Sequence, residues 1–247
     1  MKAMIFAAGL GTRLKPLTDT IPKALVPVGG KPLLQHTIEK LKLSGFDEII
    51  INVHHFAEQI IDFVEQNNHF GIRIEFSDER EKLLDTGGGI KKASWFFDDD
   101  KPFLIHNVDI LSNIDLHDLY TFHLKNNSAA TLLCSDRQTS RYLLFDHNNY
   151  LKGWINQKTG AIKSPYPDFK PELHQKLAFS GIHMLQPAIF RYMENFPDQF
   201  SIIDFYLSIC DKDHLSCYAP KKLLIMDVGK PGSLQEVRNL PDFYHSY

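Results

Sequence analysis

The chain has 247 residues, 43% of them hydrophobic and 23% charged, with a formal net charge of −3. That is enough apolar material for one large α/β domain or two small ones, and the balance of charge gives no basic footprint for nucleic acid. No stretch approaches the ~20 apolar residues a membrane-spanning helix needs, and Cys134, Cys210 and Cys217 lack C-x-x-C spacing, so they read as buried thiols in a reducing compartment.

The opening Met1–Ala8 is apolar, but Gly9, Gly11 and Arg13 interrupt it too soon for a secretory leader. It reads as a first strand at about 2–7, with the cytoplasm as the expected location. Leu33, Leu34, Ile38, Leu41 and Leu43 then recur at near-helical spacing up to Gly45, before the apolar strand 48–53. Ile60, Ile61 and Val64 give a second helix face, Gly71 stops it, and a strand follows at 72–76. A helix is expected from near Thr86, and another apolar strand at 102–106. Repeated βα units of this size imply a parallel sheet with helices on both faces.

The second half changes character. A helix at about 115–126 precedes β-rich segments near 129–135, 141–146, 150–156 and 177–185, with Asn148-Asn149 as a hairpin turn. The polar stretch Lys158–Lys176, with three prolines, is expected to be a lid or substrate-facing loop. Helices at 187–194 and 201–211, a strand at 223–228 and a terminal helix opened by Gly229-Lys230-Pro231 complete the order. The fold class is therefore a three-layer α/β/α sandwich with a mostly parallel, Rossmann-like sheet and an added β-rich part.

Chemistry concentrates in five strings. Ala7-Ala8-Gly9-Leu10-Gly11-Thr12-Arg13-Leu14 follows the first strand, with Pro22-Lys23 and Gly30-Lys31-Pro32 beyond it. Glycines let backbone approach a ligand, successive amides form an anion-binding concavity, and Arg13 and Lys23 add a fork and a point charge. A plain turn is the alternative, since neither the P-loop nor the G-x-G-x-x-G spacing is met. Leu84-Asp85-Thr86-Gly87-Gly88-Gly89 puts three glycines where they gain nothing for packing, unless a planar base approaches or the segment is a flexible turn. Asp109 in Asn107-Val108-Asp109 and Asp227 in Met226-Asp227-Val228-Gly229 each lie at a strand end, where open α/β sheets place ligands. Either could equally be a turn former or helix cap. As a pair they suit Mg²⁺, which takes one or two carboxylates plus substrate phosphates. Phe179-Ser180-Gly181-Ile182 is the fifth string. His54, His55, His106 and His183 lack metal-ligand spacing and read as core or loop residues.

Together, and in this order, the strings resemble the sugar-1-phosphate nucleotidyltransferases, with their G-x-G-T/E-R-x-x-P-L-T, P-K-x-L-V-P-V, N-G/A-D, F-S/T-G-I and D-V/I-G-T patterns. The resemblance spans essentially the whole chain. It implies a Mg²⁺-dependent transfer from a nucleoside triphosphate to a sugar-1-phosphate, with those two substrates as partners, no nucleic acid or membrane, and a monomer or small homo-oligomer. It assigns catalysis to Arg13 and Lys23, and nucleotide binding to Ala8, Gly9, Gly11, Thr12, Thr86, Gly87 and Gly88. Asn107, Ser180, Gly181 and, weakly, Lys158 take the sugar phosphate; Asp109 and Asp227 take Mg²⁺. Two departures stand out: Val108 replaces a small residue, and Lys230 replaces the threonine after D-V-G. Also, Gln157 and Thr159 replace the Glu and Pro of an F-x-E-K-P string. The expected organisation is one domain, with 1–128 for the nucleotide and 129–247 for the sugar phosphate, and without a C-terminal acyltransferase repeat. The L-D-T-G-G-G-I version favours UTP with N-acetylmuramate-1-phosphate. GTP with mannose- or heptose-1-phosphate, a GT-A glycosyltransferase and a non-catalytic nucleotide-sugar sensor stay open.

Overall fold

The computed structural model describes residues 1–229 and 231–238. Strand β1 (Lys2–Phe6) is followed by a small hairpin, β2 (Pro27–Val28) and β3 (Lys31–Pro32), and by helix α1 (Leu33–Leu43). Next come β4 (Glu48–Val53), α2 (Ala57–Gln66), β5 (Arg73–Asp78), α3 (Asp85–Lys92), β6 (Phe103–Asn107), β7 (Ile110–Ser112) and α4 (Leu116–Asn126). The second half contains β8 (Ala130–Ser135), β9 (Arg141–Phe145), β10 (Leu151–Asn156), β11 (Ile162–Lys163) and β12 (Gln175–Leu185). It ends with α5 (Phe190–Met193), α6 (Ile202–Ile209), β13 (Leu215–Tyr218), β14 (Ile225–Asp227) and α7 (Pro231–Arg238).

One sheet runs in the order β11-β10-β9-β12-β6-β1-β4-β5, with β8 beside β12 and β13 beside β8. Strands β6, β1, β4 and β5 are all parallel, and β12 joins them antiparallel through Ile182↔His106. Both faces are covered, which is why these strands read as unbroken apolar runs. Ala3, Ile5, Ile49, Ile51 and Leu104 pack into one core with α1, α2 and α4. Met4, Ile50, Phe103 and Ile105 pack into the other with α3 and α6. The expected three-layer fold is present. From β1 the chain moves to β4 and β5 on one side and returns to β6 on the other. The carboxyl ends of β1 and β6 therefore flank a switch point, the usual ligand crevice of such sheets.

Local chemistry explains the boundaries. Asp115 caps α4 by accepting from the amides of His117 and Asp118, and Ser201 caps α6 through Ile203. Asp146 Oδ1 accepts from the amides of Asn148 and Tyr150, closing the expected hairpin with Asn149 left-handed. The 158–176 stretch differs from expectation. Tyr166 Oη donates to Cys210 O at 2.6 Å, and Phe169 stacks so closely on Gly153 that a Cβ there would stand 2.7 Å away. The stretch thus folds back against β10 and the end of α6. The three cysteines are free and buried. Among the described residues, no helix is long and apolar enough to cross a membrane.

Candidate active site

A cavity of about 360 Å³ opens at the switch point. Ala7, Ala8 and Gly9 form one wall; Lys23, Asn107, Val108 and Asp109 form another. Leu83, Asp85, Thr86 and Gln199 face them, and Phe6, Asn52 and Glu79 line it as well.

The first wall is shaped by Gly11, at φ 65°, where a Cβ would stand 2.9 Å from Thr18 Cγ2. Gly11 O accepts from the amide of Leu14 at 2.9 Å and from Thr18 Oγ1 at 2.8 Å, which closes the loop on itself. A Cβ on Gly9, by contrast, would meet nothing within 4 Å, so this backbone is open to approach. The amides of Ala7 and Ala8 point elsewhere: both donate to Asn52 Oδ1, at 2.7 and 3.3 Å. The Ala8 amide is therefore already taken within the protein, and an anion would meet the amides beyond it. Thr12 and Arg13 are exposed on the turn that follows, and Arg13 makes no hydrogen bond or ion pair with another described residue.

Lys23 is aimed by its neighbours. Pro22 opens a single 3₁₀ turn whose Ala24 and the following Val26 are fully buried. This pins the backbone and leaves the Lys23 ammonium in an ion pair with Asp109 Oδ2. Asp227 arrives from the other half, because β14 pairs with β7 through Asp227↔Ile110 and the amide of Val228 donates to Asp109 O at 2.9 Å. A Cβ on Gly229 would stand 2.8 Å from each of Asp109 Oδ2, Asp227 Oδ1 and Lys23 Nζ. Two carboxyl oxygens and an ammonium therefore converge on one point, and only glycine leaves it clear. Such hard oxygen donors fit Mg²⁺. Among the described residues no group of three or more His, Cys, Asp or Glu could hold a metal alone, so the remaining ligands would come from substrate and water. Lys230 lies outside the described residues.

The second glycine string has a different explanation from the one its sequence suggests. Helix α3 begins at Asp85, so the glycines lie inside it, buried. A Cβ on Gly87 would stand 2.3 Å from Phe200 Cε2, and one on Gly88 2.0 Å from Asp198 O. Their amides both point to Phe200 O, at 2.9 and 3.3 Å. These glycines serve close packing, and their amides are occupied; Thr86 and Asp85 supply the cavity wall instead. Asp85 itself is left-handed, at φ 61°.

On β12, Gly181 (φ 75°) lies beneath Asn107, and Ser180 is buried with its hydroxyl unpartnered among the described residues. Lys158 is exposed on the turn between β10 and β11 and does not line the cavity. Burial pushes His106 and His183 down to about 3, so both are neutral imidazoles near pH 7. Sequence reasoning missed Asn52, Glu79 and Gln199; a polar residue near the end of an apolar strand was the available signal for Asn52 alone.

The chain shows similarity to known proteins along its length. It is 31% identical over 243 residues to a mannose-1-phosphate guanyltransferase of Yarrowia lipolytica, covering 94% of this chain and 61% of that one. It is 45% identical over 115 residues to an N-acetylmuramate alpha-1-phosphate uridylyltransferase of Neisseria meningitidis, covering 47% of this chain and 49% of that one. The crystal structure of HddC from Yersinia pseudotuberculosis, complexed with GMP-PN, superposes with a TM-score of 0.75 at 25% identity, over 96% of this chain and 98% of that one. The first of these relatives is matched over about three fifths of its length. The nucleotidyl transferase family profile matches residues 2–241, and the chain belongs to that family.

Proposed function

We propose that this protein transfers a nucleotidyl group from a nucleoside triphosphate to a sugar-1-phosphate, releasing pyrophosphate. The convergence of Lys23, Asp109 and Asp227 on the point left clear by Gly229, at the rim of a cavity walled by a glycine loop, carries this reading. An oxygen of the sugar phosphate forms the new bond to the α-phosphorus, and the bond between that phosphorus and the bridging oxygen to pyrophosphate breaks. The nucleophile is already an anion, so no general base is required. Catalysis then rests on positioning and charge stabilisation.

Residues of the first half hold the triphosphate, with the open backbone at Gly9 and the exposed Thr12 and Arg13 on its phosphates and the Thr86 wall on its base. Arg13 reaches the leaving pyrophosphate, and Lys23 lies between donor and acceptor phosphates. Asn107, Ser180 and Gly181 form the acceptor side. Asp109 and Asp227 would hold Mg²⁺, which would supply charge neutralisation for the reacting phosphates.

For substrate we favour UTP with N-acetylmuramate-1-phosphate or a related amino-sugar phosphate, on the strength of the 45% identical relative. The longer match to a guanyltransferase and the likeness to a GMP-PN complex favour GTP with mannose- or heptose-1-phosphate as the second reading. Pyrophosphate release measured across UTP, GTP, dTTP and a panel of sugar-1-phosphates decides between them. Best turnover with UTP and the amino-sugar phosphate supports the first; preference for GTP with mannose- or heptose-1-phosphate overturns it and leaves the reaction class standing.

A further inference from the structure

Asn52 and Glu79 are almost fully buried, at 2% and 1% exposure, yet both line the cavity. Asn52 Oδ1 accepts from the amides of Ala7 and Ala8, and its Nδ2 donates to Glu79 Oε1 at 2.8 Å. Glu79 Oε2 accepts from the amide of Leu84 at 3.1 Å. The backbone of Glu79 is fixed as well: its amide donates to Val53 O at 2.8 Å, and its carbonyl lies 2.7 Å from His54 Nδ1. Helix α3 reaches this pair only because residue 89 is glycine, since a Cβ there would stand 2.9 Å from Glu79 Oε1 and 3.4 Å from Asn52 Nδ2.

A continuous line of hydrogen bonds therefore runs from the start of the glycine loop, through two buried side chains, to the segment that begins the opposite wall. Buried polar groups so connected rigidify their surroundings and are costly when one member is lost. We infer that Asn52 and Glu79 are a positioning pair for the nucleotide: they set the distance between the phosphate loop and the 83–86 wall, so that one triphosphate spans both. This rests on the nucleotide reading of the cavity given above. Neither residue performs chemistry; each acts through backbone it holds in place.

The donors and acceptors define a sharp test. In Glu79→Gln, the new amide nitrogen must face a donor, either Asn52 Nδ2 or the Leu84 amide, whichever way it turns. Asn52→Asp puts two carboxyl groups in contact, and the line is whole only while they share a proton. The double variant restores every bond with the same formal charge. Its new side-chain amide at position 79 donates to the new carboxylate at position 52 and accepts from the Leu84 amide. That carboxylate in turn accepts from the amides of Ala7 and Ala8. The measurements are Kd for UTP and GTP by titration calorimetry, kcat and KM from pH 6 to 9, and thermal melting of all four proteins.

Glu79→Gln is expected to weaken binding of the preferred triphosphate and raise its KM by about tenfold or more, the scale of one buried unpaired donor. Its kcat should change much less. Asn52→Asp should lose affinity progressively as pH rises, and the double variant should return to near wild-type values across the range. Triphosphate Kd unchanged in a folded Glu79→Gln overturns the inference, as does a folded double variant no better than the singles. If a single variant melts too low to assay, the double variant alone decides: wild-type affinity supports the pair and lost affinity overturns it. A wild-type chain that binds neither UTP nor GTP defeats the nucleotide reading itself, and the pair with it.

Discussion

Asn107 lies directly across Gly181: a Cβ at position 181 would stand 2.5 Å from Asn107 Nδ2. The two belong to neighbouring antiparallel strands, β6 and β12, and Asn107 also lines the cavity. Gly181 is left-handed at φ 75°, so a side chain there meets both backbone strain and the Asn107 amide. Gly181→Ala should raise KM for the sugar phosphate about tenfold, the effect of about 1.4 kcal/mol of lost binding. KM for the triphosphate should hold within about twofold. Equal effects on both substrates, or none, would remove Gly181 from the acceptor side.

Three glycines separate packing from ligand approach. Gly87→Ala and Gly88→Ala drive a methyl into Phe200 and the Asp198 carbonyl, and each should cost about 1–3 kcal/mol of stability. Gly9→Ala meets open space, so its melting temperature should match wild type while triphosphate KM rises. Denaturant titration of the three variants checks this. A destabilised Gly9→Ala, or stable Gly87 and Gly88 variants, would contradict the packing seen here.

The ion pair of Lys23 with Asp109 makes a prediction for the proposed metal site that does not depend on turnover. Removing the ammonium with Lys23→Met should tighten Mn²⁺ binding to the nucleotide-free protein, measured by electron paramagnetic resonance, because a competing cation has left. Asp109→Asn and Asp227→Asn should weaken Mn²⁺ binding and nearly abolish turnover, with melting temperatures little changed. Arg13→Ala, at an exposed position, should leave stability alone and lower the rate about 10²–10³-fold. Mn²⁺ affinity that falls in Lys23→Met, or survives in both Asp variants, would overturn the assignment.

Acid should destabilise the fold through its buried imidazoles. Burial pushes His106 and His183 down to about 3 and His123 to about 4, from an ordinary 6.5. Below pH 6.5 the unfolded chain therefore binds protons that the native chain does not. Their contribution is complete above 6.5 and is lost as pH falls, at up to about 1.4 kcal/mol per pH unit for each ring. Urea midpoints measured from pH 7.5 down to about 4.5 should fall steadily below the ordinary histidine range. A flat profile would contradict the buried, neutral placement of these rings.

The alternation of apolar strands and helical faces was legible in sequence because both sheet faces are covered, and the placement of Asp109 after β6 followed from the same pattern. The convergence of Lys23 with Asp109 and Asp227 was not legible from spacing, since it depends on β14 pairing with the three-residue β7, too short to show periodicity. The packing of Gly87 and Gly88 was not legible for a physical reason: a helix interior packed against Phe200 and a turn approached by a planar base both demand a missing Cβ. Asn52 and Glu79 escaped notice because Asn52 is a single polar residue near the end of an apolar strand while Glu79 is one of several in the polar run 77–82, and only the folded chain brings them within hydrogen-bonding distance.

The fate of the α-phosphorus tests the central claim most directly. The protein is incubated with Mg²⁺, a sugar-1-phosphate and triphosphate labelled at either the α- or the γ-phosphorus, with UTP and GTP run in parallel. Nucleotidyl transfer predicts α-label in a nucleotide sugar and γ-label in pyrophosphate, in equal amounts and only when the sugar phosphate is present. Label from the γ position appearing in orthophosphate or on the sugar, with the α-label left in a nucleoside diphosphate, would contradict it.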